Sequence, residues 1–245
     1  MAIVKSNDVK PTDAFDGLML DGEKHIQEDV EVTNLHIAGK IFFHEDVDAD
    51  TVVINGEAEF MQYFTCDKLE LAGFCLARSG LSCEEAVIAG NMTVYGKISV
   101  EKIDVQGTLD VTKKSNMWDI NVSGRMIMHD SVRFENAYIT GMMDVNDRAK
   151  GNKIFIASSV TSRIQRVVAD SLTVEPDGTN ENIEGLFLLD SDTVDCDYVE
   201  IDCCRIDRLY CANGKIGDFC EINELYYTGE IDLGEKAKVK KIEKI

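Results

Sequence analysis

Proline is almost missing from this chain of 245 residues, which holds only Pro11 and Pro176. Proline has no backbone N–H to give to a ladder, so the long stretch between the two leaves extended sheet unbroken. No run of 18 apolar residues occurs, and no integral membrane span is expected. The start, Met1-Ala-Ile-Val-Lys-Ser6, lacks a basic segment followed by an apolar one, so no secretory signal is expected either. Basic residues are scarce: 25 Lys and Arg against 45 Asp and Glu give a formal charge of −20. A nucleic-acid partner needs a basic face, and this composition excludes one. The plain reading of the acidity is a solvated exterior that keeps the protein soluble; the alternative is a recruiting surface for a basic partner. The one basic stretch, Lys236 to Lys244, alternates with Ala237, Val239 and Ile242 and reads as a final turn with its lysines outward.

The usual marks of chemistry are also missing. The five late cysteines (Cys196, Cys203, Cys204, Cys211, Cys220) contain no CxxC and have no histidine within 60 residues. The four histidines, His25, His36, His44 and His129, do not converge as three ligands would and read as surface residues. Paired acids such as Asp46/Asp48 and Asp190/Asp192 arise freely among so many carboxylates. No glycine-rich phosphate loop or nucleophile elbow appears. Neither catalytic residues, nor a metal, nor a cofactor are expected. Cys66, Cys75 and Cys83 fall at inward positions as small hydrophobes; free buried thiols and no export signal point to a reducing cytoplasm.

What is present is a repeat. Gly22, Gly39, Gly56, Gly73, Gly90, Gly107, Gly124 and Gly141 follow one another at intervals of 17, and a fixed period of that size marks a solenoid. With the glycine as position 17, position 15 holds Ile37, Ile54, Leu71, Ile88, Val105, Val122, Ile139 and Ile156, and position 13 is equally apolar. Positions 2 and 4 (Ile41/Phe43, Met92/Val94, Met143/Val145, with Val160 closing the position-2 column) and positions 8 and 10 (Val30/Val32, Phe64/Cys66, Ile98/Val100) repeat the pattern. Alternation of one in, one out predicts strands, three short ones per coil. The glycine reads as a corner that needs φ above zero. The fold class is therefore all-β: a single-stranded, right-handed parallel β-helix of triangular section, about 17 residues per turn. About 13 turns would fit after Gly22, a length of roughly 60 Å.

After Ser158, which takes the ninth glycine slot, the register slips: Leu172 and Val174 fall 18 residues after Ile154 and Ile156. Keeping the old register would bury Arg166. Residues 175–182 read as a loop. The columns return as Cys204/Cys220/Ala237, Ile206/Ile222/Val239 and Leu209/Leu225/Ile242, with Cys203 outward beside Cys204. The organisation is thus an N-terminal cap or strand at 1–22, a regular β-helix at 23–158, irregular turns at 159–198 and C-terminal turns at 199–245, in one continuous domain.

The corners Ile37-Ala-Gly39, Ile54-Asn-Gly56, Ile88-Ala-Gly90 and Ile139-Thr-Gly141, with Asp197-Tyr-Val-Glu-Ile201, Lys215-Ile-Gly217 and Cys220-Glu-Ile-Asn-Glu-Leu-Tyr-Tyr227 near the end, make the chain resemble the bactofilins, polymer-forming cytoskeletal proteins of bacteria, and their longer Firmicutes-type members. It departs from better-known members in its length, its lack of proline-rich tails and its break near 159–198. The resemblance implies nucleotide-independent assembly into a homopolymer through the terminal turns, in the cytoplasm or peripherally at the inner membrane, as a scaffold for envelope or shape-related proteins. The last coil of any β-helix exposes an unpaired edge and an open apolar section. The residues expected at such ends are Phe15, Leu18, Leu20 and Ile26 on one side, and Ile231, Leu233, Val239 and Ile242 on the other. The rival readings are a β-helical module that binds a protein on its acidic face, and a β-helical acyltransferase or lyase.

Overall fold

The computed structural model describes residues 2–4, 17–179 and 185–245, the first three by their backbone alone. Among the described residues there are strands and turns but no helix, and the strands pair in parallel as a β-solenoid. The chain divides into two compact units, Met1–Met117 and Trp118–Ile245.

In the first unit each coil supplies a four-residue strand, such as Lys40–Phe43, Glu57–Phe60 or Asn91–Val94, and one of eight or nine residues, such as Val47–Ile54, Tyr63–Leu71 or Gly80–Ile88. Partners stand 17 residues apart: Ile41 faces Ala58, Cys66 faces Cys83, and Ile88 faces Val105. The apolar pairs at positions 8/10 and 13/15 do not form two separate strands. They share one, because two successive outward residues (Asp67-Lys68, Glu84-Glu85, Glu101-Lys102) shift the alternation by one while pairing resumes at once, as at Glu85 and Lys102. Inside, Phe43, Phe60 and Phe64 stack at 4.8 and 4.2 Å, each contact adding roughly 1 kcal/mol to simple burial. Where the inward residue of a column is polar, it is satisfied. The Ser115 hydroxyl accepts the Ile98 N–H at 3.1 Å and donates to the Lys113 carbonyl at 2.9 Å.

The glycine column has a different cause from the one its spacing suggests. Of these glycines only Gly22 adopts a positive φ, 73°. At Gly39, Gly56, Gly73, Gly90 and Gly107 a Cβ would lie 2.0–2.1 Å from the carbonyl oxygen of the glycine one coil earlier. The corner is tight because two successive N–H groups, those of Asn55 and Gly56, both donate to the Ile37 carbonyl, and Glu57 N–H then reaches Gly39 O at 2.8 Å. Glycine is required there by clearance between backbones, not by handedness of the dihedral.

The second unit continues the 17-residue spacing as far as Ile139 and Ile156. Gly141 is the last glycine of the column, its absent Cβ standing 2.1 Å from Gly124 O. Ser158 in the next slot is buried and donates its hydroxyl to Gly141 O at 3.0 Å. In that coil the spacing changes: Val145 pairs with Ile164, then Arg148 with Arg166 across a bulge, then Ile156 with Val174. Arg166 stays exposed. Val160 does not extend the inward column. It is 45% exposed, and buried Ser162 takes the inward place, accepting the Met143 N–H at 3.0 Å. Gly151, opposite Phe134 in position 10, leaves the space that the Phe134 ring fills: an added Cβ would lie 2.2 Å from it.

Beyond the loop the coils shorten. Val194 pairs with Leu209, Leu209 with Leu225, and Leu225 with Ile242. Ile206, Ile222 and Val239 form a second column. Cys203 corrects the outward placement read from its neighbour. Its φ of 52° turns the side chain inward, so that Cys203 and Cys204 are both fully buried. Phe219, with φ 60°, occupies the matching corner of the next coil.

Candidate functional site

The residues expected at open ends separate into two groups. Phe15 lies outside the described residues. Leu18 and Leu20, in the strand Gly17–Leu20 paired with Asn34–Ile37, are interior, and Ile26 is buried in a strand that also pairs with Ala2–Val4. All three side chains are buried, and Ala2–Val4 pairs over Ile26, but among the described residues the other side of Gly17–Leu20 has no strand partner.

The C-terminal group is brought together on one coil. Ile231–Leu233 pairs with Gly214–Ile216, and Lys238–Lys244 pairs with Glu221–Tyr227. Among the described residues, the other side of Lys238–Lys244 has no strand partner. The apolar columns open here. Leu209 and Leu225 are fully buried, whereas Ile242 of the same column is 48% exposed; Leu233 is 41% exposed, and Ile231 and Val239 are half-buried.

The outer face of these coils carries charge of alternating sign. Asp190, Arg205, Glu221 and Lys238 stand opposite one another in successive strands. Arg205 Nε lies 3.0 Å from Asp190 Oδ1, and this hydrogen bond holds the Asp190 carboxyl below the usual carboxylate range. Lys238 Nζ reaches Glu221 at 2.9 Å. Lys241 Nζ donates to the Tyr226 hydroxyl at 2.8 Å, which raises the lysine pKa. Being exposed, such pairs contribute little stability each. Their effect is to fix register, and the row ends on lysines.

All eight cysteines are free and buried. Burial pushes the Cys75 and Cys196 thiols up to about 12, and Cys203 and Cys211 up to about 11. Cys66 Sγ and Cys83 Sγ meet at 3.3 Å in the first unit. A thiolate is the reactive species, and at pH 8 Cys75, Cys196, Cys203 and Cys211 hold roughly a thousandth or less of their number in that form. Folded protein is expected to leave a disulfide-exchange chromophore unreacted at pH 8 over minutes, and all eight thiols to react once guanidinium is added.

Among the described residues no group of three or more His, Cys, Asp and Glu side chains could hold a metal ion. A surface groove of about 630 Å³ on the second unit is lined by Arg166, Asp195, Arg208, Tyr210 and Tyr226. Tyr210 and Tyr226 stack on each other at 5.0 Å, so they present ring edges outward and keep their shared faces closed. A contact that the repeat positions alone did not reveal lies in the first unit. His25 Nδ1 and His44 Nε2 stand 3.0 Å apart. Positions 3 and 5 in successive coils both flank the inward position 4, and that diagonal relation is the signal that finds the pair.

No family model matches the chain, and no curated protein matches it. Among solved structures it is similar to the C-terminal domain of tapirin from Caldicellulosiruptor hydrothermalis, with a TM-score of 0.45 and 15% sequence identity. That match covers 94% of this chain, which spans 57% of the tapirin chain. No helix among the described residues is long and apolar enough to cross a membrane.

Proposed function

We propose that this protein is structural: a bactofilin-like, nucleotide-independent filament former whose coils are right-handed and triangular in section, and which assembles through a terminal coil. The observation that carries this reading is the coil at Ile231–Lys244, where among the described residues Lys238–Lys244 has a strand partner on one side only and Leu233 and Ile242 are exposed in columns that are otherwise buried. A second copy that continues the ladder there satisfies the backbone groups and removes the apolar ends from water, which is the natural remedy for an exposed strand edge. The filament serves as a cytoplasmic scaffold, free or peripheral at the inner membrane, for envelope or shape-related proteins. No reaction and no cofactor belong to this function.

Electron microscopy of the purified protein tests it. Filaments at micromolar concentration and moderate salt, the same with and without ATP or GTP, are the expected result. Monodisperse particles under those conditions overturn it and leave the acidic binding module as the reading to pursue.

A further inference from the structure

We propose that His25 and His44 form a two-imidazole chelate for a first-row divalent transition metal such as Ni²⁺ or Zn²⁺. Two nitrogens bound at about 2.1 Å stand about 3.0 Å apart in adjacent positions of an octahedral ion such as Ni²⁺, and about 3.4 Å apart on a tetrahedral Zn²⁺. His25 Nδ1 and His44 Nε2 already hold the first of these separations, 3.0 Å. Without an ion the two nitrogens share a single N–H between them. With an ion, each neutral ring turns its lone pair to the metal and carries its proton on the outer nitrogen, His25 Nε2 or His44 Nδ1.

Ladder pairing places the two residues, and ring stacking orients the imidazoles, which also stack on each other at 5.4 Å and 24°. His25 pairs with Phe42 across the ladder, and its imidazole stacks on the Phe42 ring at 4.4 Å and 10°. The His44 N–H donates to Ile26 O at 2.9 Å. Both side chains are half-buried, open enough for an ion to enter. No third protein ligand converges among the described residues, so water completes the shell. A site of two imidazoles and water favours Ni²⁺, Cu²⁺ and Zn²⁺ over Mg²⁺ and Ca²⁺, which take oxygen ligands. The net charge of −20 enriches cations of every kind around the protein, and selectivity for transition metals separates the site from that background.

Calorimetric titration of protein without a polyhistidine tag, first with NiCl₂ and then with MgCl₂, is the test. One equivalent of Ni²⁺ is expected to bind, with no matching event for Mg²⁺. His25→Gln and His44→Gln are each expected to weaken Ni²⁺ by about tenfold or more, while far-UV circular dichroism stays unchanged. His36→Gln and His129→Gln are expected to leave binding as it was. Histidine side-chain ¹⁵N spectra with Zn²⁺ should move the His25 and His44 signals together. Absence of the one-equivalent event, or Ni²⁺ affinity indifferent to both substitutions, overturns the site.

Discussion

Gly73→Ala is expected to lower the unfolding midpoint by roughly 6–12 °C, and Gly22→Ala by markedly less. The added methyl at Gly73 would sit 2.0 Å from Gly56 O, 2.7 Å from Asn55 O and 2.8 Å from Asn55 C. All three are backbone atoms held in the ladder, so neither side can yield without breaking hydrogen bonds in two coils. Overpacking of this kind costs about 3 kcal/mol, which for a chain of this size is the stated shift. At Gly22 nothing lies within 4 Å, and the residue needs only its φ of 73°. The strain of a left-handed alanine is about 1 kcal/mol. Asparagine separates the two causes, because it tolerates the left-handed region. Gly22→Asn should be close to neutral, and Gly73→Asn at least as damaging as alanine. Thermal unfolding followed by circular dichroism decides it; equal losses at both positions, with asparagine restoring both, would reinstate the dihedral explanation.

Val239→Pro is expected to abolish filaments while leaving the unfolding midpoint within a few degrees, and Ile222→Pro to prevent folding of the last coils. Alternate residues of a parallel strand direct their backbone groups to opposite sides. Lys238 N–H donates inward to Cys220 O at 2.8 Å, so the Val239 N–H faces the free edge. A proline there removes a donor that only an incoming strand would use, as in the edge positions where proline is tolerated. The lost bond leaves an unsatisfied acceptor on the arriving coil, weakening association by roughly tenfold or more. Ile222 lies in Glu221–Tyr227, which is paired on both sides, and its side chain is 1% exposed. Sedimentation and microscopy at matched concentrations read the assembly. A Val239→Pro protein that still forms filaments of normal length would show that the Lys238–Lys244 edge is not the joint.

Much of the core was legible because stacking makes near neighbours of residues one period apart. The pairs Cys66/Cys83 and Ile206/Ile222 can be read from numbers alone and recur as ladder partners. The 18-residue step to Leu172 and Val174 was equally readable, since the alternative buries Arg166. Three details were not. Val160 left its column because the widened coil has a second small residue, Ser162, whose hydroxyl can accept the Met143 N–H. Cys203 turned inward through a dihedral that no side-chain pattern encodes. The His25–His44 contact joins residues 19 apart, off the period by two, because it is diagonal.

The end residues illustrate the same division. Leu18, Leu20 and Ile26 look like Leu233, Val239 and Ile242 in sequence, each an alternating apolar residue near a terminus. The first three are buried, Ile26 beneath the pairing with Ala2–Val4, whereas Ile242 is 48% exposed. The sequence by itself determined the period, the parallel all-β class and most residues of the columns, because a solenoid repeats its contacts in one dimension. Only the tertiary structure decided why the corner must be glycine, which way Cys203 points and which apolar end residues are buried. Those depend on distances of two or three ångströms between backbones of neighbouring coils, and spacing along the chain does not carry them.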